Sequence, residues 1–355
     1  LHEGPLAVID EKLHEVDYND LVDDGDQLIK SEKRGGWIGI TDKYWLTALI
    51  PDQSDNSEFA FRYSKKSNGQ WQSDWRGSVK SIPPGKEIEV KSHLYVGAKI
   101  VSLLDKVEED LKVPRFDLAI DFGWFYFLTK PFFYALNWLS GYLGNFGLAI
   151  LGLTVIIKIL FFPLANGSYR SMAKMRTLQP KLAELRERYK GDQQAINKAM
   201  MEMYRNEKVN PAAGCLPILI QIPVFFALYK VLYVTIEMRQ APFYGWITDL
   251  SAKDPTSILN LFGILPYSVN TLPIPEFFQL GVWPLLMGLT MWLQMRLNPT
   301  PPDPVQARIF AWMPVVFTFL LATFPAGLVI YWTWNNLLSI GQQWLIMNQL
   351  NKAQK

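Results

Sequence analysis

FGLAILGLTVIIKILFFPL, residues 146–164, decides how the chain is to be read. The run is apolar except for Thr154 and a single charge, Lys158. At ~1.5 Å per residue a helix of this length reaches roughly the ~30 Å of a bilayer's hydrocarbon core, so the run predicts a membrane-spanning helix. Lys158 stands six residues before the end of the run, which places its Cα roughly 9 Å inside the core. Two readings follow. The lysine snorkels to the nearer surface, or it faces a wet cavity inside a helix bundle. Snorkelling over two helical turns stretches one side chain, and a charge inside a span points by default to a functional site.

Outward from this run the chain divides into two unlike parts. Its 355 residues are 49% hydrophobic, 14% aromatic and 19% charged, enough for two domains or more. Up to Asp110 there is no long apolar run, whereas from Gly123 onward Phe, Leu, Ile, Trp and Pro dominate. A soluble domain followed by a multi-span membrane domain is expected. No basic segment with a short apolar core precedes the soluble part, and the chain is expected to be truncated at its start. Cys215 is the only cysteine, which argues against a disulfide framework or a thiolate metal cluster. His2, His14 and His93 show no zinc or triad spacing.

In the soluble part, residues 1–30 are polar and acidic and read as loop and edge material. Strands are predicted at Trp37–Ile40, Tyr44–Ile50, Phe59–Tyr63, Trp71–Trp75, Ile88–Val90 and His93–Val101, punctuated by Gly-Gly, Ser-Asn-Gly and Pro-Pro-Gly clusters. Such spacing suggests an antiparallel sandwich. Leu103–Leu111 reads as a short amphipathic helix ended before Pro114. Residues 123–142 are aromatic but interrupted by Lys130-Pro131. They predict an interfacial helix along the membrane, with a short extra span as the alternative.

After the first span, residues 165–210 carry ten Lys or Arg against five acids, a net of +5. Met175, Leu178, Leu182, Leu185 and Tyr189 recur at coiled-coil spacing, and Ile196, Met200 and Met203 resume it beyond Gly191-Asp192. A helical hairpin over 170–206 is expected. Further spans are predicted at about 211–234, 279–297, 309–324 and 327–346. The last two are separated at Phe324-Pro325-Ala326-Gly327, because one straight helix from 309 to 347 would be almost 60 Å long. Pro299, Pro301, Pro302 and Pro304 make a stiff connection before them. The basic loop places 165–210 in the cytoplasm, since the 235–278 loop holds only Arg239 and Lys253. The soluble domain, whose first 110 residues have a net charge of −7, is then outside, and the tail from 348 to 355 is cytoplasmic.

The chemistry excludes more than it offers. No Ser/His or Cys/His pair, phosphate loop, HExxH or intramembrane carboxylate pair is present, so neither an enzyme, a metal site nor a cofactor is expected. The spans instead carry a small polar set: Thr154, Lys158, Gln221, Gln294, Asn335, Asn336, Ser339, Gln342 and Gln343. Helix-to-helix pairing explains any single amide. The set together with an unneutralised lysine fits a hydrated groove, which shortens the apolar distance that the polar tail of a polypeptide must cross. A channel or transporter needs ion-binding groups that the spans lack. A third reading, a sugar-binding outer module on a passive anchor, would use Tyr63, Trp71 and Trp75, which core packing also accounts for.

At this point the chain resembles the YidC membrane-protein insertases of Gram-negative type. The likeness runs through FPLANGSYRSMAKMRTLQPKLAELRERY (162–189), VNPAAGCLPILIQIPVFFALY (209–229), RQAPFYGWITDLSAKDP (239–255) and MPVVFTFLLATFPAGLVIYW (313–332). The resemblance implies an α-helical membrane protein with five transmembrane helices and a cytoplasmic hairpin, preceded by an all-β extracytoplasmic sandwich. The expected parts are a periplasmic domain at 1–112, a linker and interfacial helix at 113–145, and an insertase core at 146–347. It also implies a bacterial inner-membrane protein that inserts and folds nascent membrane proteins, alone or with the Sec translocon. Ribosomes and membrane lipids are implied as partners, with no nucleic acid except through the ribosome. Lys158, four residues after Thr154, matches a position where the family usually carries arginine; the charge is kept and the bidentate fork is lost. Gln221 matches a groove amide, with Gln294, Asn336 and Gln342 completing the expected groove. Phe225 and Leu320 are expected apolar contacts for a sliding segment. Met175, Leu182, Arg186 and Met200 are expected partner contacts on the hairpin. Residues 258–278 are longer than the family leads one to expect, and no function is read for them.

Overall fold

The computed structural model describes residues 2–65, 69–189, 191–207, 209–210, 216–269, 273–298 and 304–353. Cys215, the 211–215 start of the second predicted span, Lys190 and Lys208 of the basic stretch, and Pro299, Pro301 and Pro302 lie outside that set. So do Ser67 and Asn68 of one turn cluster, the side chains of Pro217 and Pro304, and the last two residues of the tail. The chain forms two compact units. One is Leu1–Tyr126 with Tyr233–Glu237, the other Phe127–Leu232 with Met238–Lys355.

The first unit contains strands β1 (Gly4–Ile9), β2 (Lys12–Glu15), β3 (Gln27–Lys30), β4 (Trp37–Thr41), β5 (Trp45–Ile50), β6 (Glu58–Ser64), β7 (Gln70–Arg76) and β8 (His93–Ala98). Helices α1 (Tyr18–Asp23) and α2 (Val101–Leu111) complete it. A five-stranded sheet runs β2-β1-β4-β5-β8 and a three-stranded sheet runs β3-β6-β7. Every described pairing is antiparallel. Ala7, Ile9 and Ile38 of the larger sheet and Phe59 and Phe61 of the smaller close one core between them. Each fully buried aromatic there contributes roughly 1.5–3 kcal/mol.

The sandwich is as expected, but residues 1–30 are not loop. β1 is buried along its whole length and sits between β2 and β4. Its sequence, GPLAVI, is a continuous apolar run, the pattern of a strand covered on both faces. The acidic residues around it dominate the local composition and hide it. The outer face of the sheet is covered by residues 114–119: Trp37 Nε1 donates to the Pro114 carbonyl at 3.2 Å and meets Phe116 edge-on at 5.1 Å. Ile88–Val90 forms no strand; both apolar side chains are exposed and nothing pairs with a segment this short. β8 ends at Ala98, short of the predicted Val101, which already begins α2. Tyr63 and Trp75 pack on the core, and Trp71 lies on Tyr63 and Tyr18 at 5.4 and 4.8 Å, so the aromatic trio is packing material.

Lys99, just after β8, is 2% exposed, and its Nζ donates to Thr41 Oγ1 at 2.8 Å. Burial pushes its ammonium down to about 8, against the pull of Asp42, Asp121 and Glu3.

The second unit is helical: α3 (Tyr126–Leu143), α4 (Phe146–Leu160), α5 (Phe162–Arg188), α6 (Gln193–Asn206), α7 (Leu216–Val234), α8 (Val282–Leu297), α9 (Pro304–Leu320) and α10 (Ala326–Ala353). α3 runs through Pro131. It buries Phe133 and Leu136 and exposes Phe127, Trp138 and Tyr142. Asn145 caps α4, its side chain accepting from Leu148 N–H at 3.1 Å.

The predicted first span is divided. α4 stops at Leu160, and α5 leaves it at an angle of 69°. Pro163 is the physical cause: it has no N–H for Ile159, and its ring clashes with that carbonyl in a continuous helix. Lys158 is therefore two residues from a helix end, not six residues inside one. Among the described residues, Val305–Thr323 is long and apolar enough to cross a membrane by itself. The α4–α5 pair qualifies only when both are taken together, and Leu219–Val234 is a shorter apolar helix. α10 continues through most of the predicted tail, and the chain breaks between α9 and α10 at Phe324-Pro325, as the breaker there requires.

α8 packs against both α9 and α10. Gly288 allows the close approach to α9, since a Cβ there would overlap Thr318 Oγ1. The start of α8 is held by Asp254. Its Oδ2 accepts from Trp283 N–H at 2.9 Å, and its Oδ1 from Trp246 Nε1 at 3.1 Å and Thr256 Oγ1 at 2.7 Å. Thr256 Oγ1 also accepts from Val282 N–H at 3.0 Å. A carboxylate at a helix N-terminus satisfies donors that would otherwise be orphaned.

Candidate functional site

The end of α4, the start of α5 and the first half of α7 enclose a recess. Its polar side chains are Lys158, Tyr169 and Gln221, and its walls include Ile157, Phe161 and Val224. The bend at Phe161 makes this possible, because it turns α5 aside and leaves the last turn of α4 facing α7. The recess holds about 40 Å³, room for one or a few waters and far too little for a polypeptide.

Lys158 Nζ donates to Ser339 Oγ at 2.7 Å, and Ser339 in turn donates to the Asn335 carbonyl at 2.8 Å. The Tyr169 hydroxyl also bonds Ser339. Among the described residues no carboxylate pairs with Lys158. An ammonium has three donors, so two remain for water or a visiting acceptor. Gln221 Nε2 donates to the Tyr331 hydroxyl, which ties α7 to α10 on the far side of the recess.

The remaining expected groove residues are dispersed. Thr154 is buried and donates back to the Ile150 carbonyl at 2.7 Å. Asn336 is buried with its Nδ2 on Thr290 Oγ1 at 3.2 Å, a pairing across α8 and α10. Gln294 is half-buried on α8 and does not line the recess. Gln342 is buried with no hydrogen bond to its Nε2 among the described residues. Gln343 Nε2 donates to the Leu297 carbonyl and Asn298 Oδ1, each at 3.1 Å. Of the expected groove set, the structure thus brings Lys158 and Gln221 together and places Asn336 in a closed helix contact. Phe225 is half-buried, edge-on to Trp332 at 4.8 Å, and Leu320 is exposed at the end of α9.

The hairpin of α5 and α6 closes on its own core. Leu178, Leu182, Tyr204 and Val209 are buried, with Met175, Met200 and Met203 packed against them. Leu182 is thus enclosed and Arg186 half-exposed. Lys181 pairs with Glu207 at 2.8 Å across the two helices.

Sequence reasoning passed over Tyr169 and Tyr331, whose hydroxyls complete the polar contacts around Lys158 and Gln221. Tyrosine reads as apolar in a hydropathy scan, and a hydroxyl's orientation has no linear signal. It also passed over Lys230, inside α7 and half-buried near its end.

The family described as "60Kd inner membrane protein" matches residues 138–354, and that described as "YidC periplasmic domain" matches residues 1–135. The chain belongs to the YidC family. Relatives named "Membrane protein insertase YidC" include one from Brucella suis, 54% identical over 350 residues, covering 98% of this chain and 56% of the relative. One from Agrobacterium fabrum is 55% identical over 353 residues, covering 98% and 57%. One from Rickettsia conorii is 54% identical over 352 residues, covering 99% and 62%. The chain therefore spans little more than half the length of the curated YidC relatives it matches. A crystal structure described as an active YidC insertase with its first transmembrane domain resolved shares the fold. Its TM-score is 0.50 at 18% identity, over 96% of this chain and 82% of that one.

Proposed function

We propose that the chain is the membrane-inserting part of a YidC-type insertase and chaperone. It lowers the barrier for nascent membrane proteins with a hydrophilic groove centred on Lys158. The observation that carries this is a lysine with spare donors and, among the described residues, no paired carboxylate, sharing a recess with Gln221. An acidic or polar tail is drawn to the cation, while Phe225 and the apolar walls let the hydrophobic part of the segment pass toward lipid. The recess widens to admit a chain, because at rest it has room only for water.

In this reading the protein lies in the bacterial inner membrane, with residues 1–112 periplasmic and 113–145 an interfacial linker. The core at 146–347 makes five crossings, and the tail is cytoplasmic. The exposed apolar residues of the helices, such as Ile159 and Leu160 on α4 and Ile309, Trp312 and Val316 on α9, form the lipid-facing surface. The basic outer side of the α5–α6 hairpin, including Arg186, meets the ribosome, and the Sec translocon is the membrane partner. Relatives carrying the insertase name support the activity.

Photo-crosslinkers at Ala165 and Gln221, in the recess, and at Leu337, exposed on α10, test the site against a stalled single-span nascent chain. Adducts are expected from 165 and 221 and not from 337. Equal yields from all three positions would remove the groove from the mechanism.

A further inference from the structure

The loop before α8 plays no part in the function proposed above. From Pro255 to Pro275 it contains no charged residue. Its backbone is unusual: Leu261 (φ 49°, ψ 47°) and Phe262 (φ 58°, ψ 32°) are both left-handed and are followed by Gly263 at φ 97°. Two successive non-glycine residues in that region carry real backbone strain. Specific bonds hold it. Phe262 N–H donates to the Ser257 carbonyl at 2.7 Å and Leu265 N–H to the Asn260 carbonyl at 3.1 Å. Asn260 Oδ1 accepts from Gly263 N–H at 3.1 Å, and the Tyr267 hydroxyl donates to the Leu259 carbonyl.

The product of this strain is a set of large apolar side chains turned outward. Leu261, Phe262, Ile264 and Leu265 are exposed, Ile264 to 79%. In water such an arrangement loses twice, through strain and through wetted apolar surface, so it calls for a surface that receives those side chains. The patch also continues into the helices. Ile258 N–H donates to the Leu280 carbonyl at 2.8 Å, just before α8. The exposed Phe278 meets Phe319 of α9 edge-on at 5.8 Å.

We propose that this loop is a foot seated in lipid: Leu261, Phe262 and Ile264 enter the headgroup–acyl boundary of the leaflet in which α8 begins. The proposal rests on reading α8 and α9 as membrane crossings. Since the foot carries no charge, its seating depends on apolar burial and not on anionic lipid.

Nitroxide labels at cysteines replacing Phe262 and Ile264, in a Cys215→Ser background, test this in vesicles of phosphatidylethanolamine with phosphatidylglycerol and of phosphatidylcholine alone. Val79, fully exposed in the first unit, serves as the water reference, and Val316 on α9 as the lipid reference. Both loop labels are expected to show an oxygen-to-nickel accessibility ratio several-fold above that at 79 and close to that at 316, in either lipid. A ratio matching 79, with 316 still lipid-like, overturns the foot and leaves the crossings intact. A label at 262 or 264 protected from both reagents means that protein covers the loop, which also overturns it. A water-like ratio at 316 instead defeats the reading of α9 as a crossing.

Discussion

Two lysines, Lys99 buried in the first unit and Lys158 half-buried in the second, make nearly the same contact in different surroundings. Lys99 donates to Thr41 Oγ1 at 2.8 Å and Lys158 to Ser339 Oγ at 2.7 Å. Lys99 is closed in, with Asp42, Asp121 and Glu3 within electrostatic reach. Lys158 opens on a recess and feels no described carboxylate. A hydroxyl partner therefore does not tell the two apart; free space beside the charge and, among the described residues, the lack of a nearby acid do.

The sharpest way to break this contrast is to invert the charge at the open site. Lys158→Glu is expected to lower insertion of a Sec-independent single-span protein by at least roughly tenfold, equivalent to about 1.4 kcal/mol. Lys158→Arg keeps the charge and should keep most of the activity. Equal insertion by both variants and the parent, measured as protease-protected product in proteoliposomes, would sink the charge-centred groove.

The closed lysine should behave in the opposite way. Its folded pKa of about 8 lies below the ~10.4 of an unfolded lysine. Between those values the unfolded chain holds the proton and the folded chain releases it. Stability of the first unit should therefore rise with pH from about 8 to about 10, and the penalty is in full force below 8. Lys99→Met should remove that slope and stabilise the unit near pH 7 by on the order of 3 kcal/mol at most, with insertion unchanged. A pH series of thermal melts reads this directly, and a parental profile that is flat above pH 8 would contradict it.

An uncharged pair sharpens the comparison further. Asn336 on Thr290 is sealed between α8 and α10. Asn336→Ala should cost about 1 kcal/mol of stability in detergent and leave insertion by the folded fraction near parental. A selective loss of insertion with unchanged melting would move this amide into the groove.

The sequence carried those parts of the fold that depend on local pattern. The sandwich strands from β4 to β7, the α5–α6 seam and the break before Ala326 all follow from periodicity and breaker residues. β1 escaped because the acids around it dominate the composition of residues 1–30, although its own six residues are apolar. The bend at Phe161 escaped because hydropathy averages over Pro163 as one more apolar residue. At the site, Lys158 and Gln221 were legible as polar residues in apolar runs. Their partners Tyr169, Ser339 and Tyr331 come from distant helices, so only tertiary structure could say which hydroxyl meets which donor. The Asp254 cap on α8 is of the same kind, bridging positions 29 residues apart.

The bend between α4 and α5 has an electrical side. A straight helix through Phe161 would have no terminus near Lys158; the bent one does, and Lys158 occupies its last turn. The negative end of the α4 peptide dipoles falls there, and the positive end of α5, which begins at Phe162, lies beside it and offsets part of it. The backbone therefore compensates Lys158 only in part, which keeps a net positive charge beside the recess.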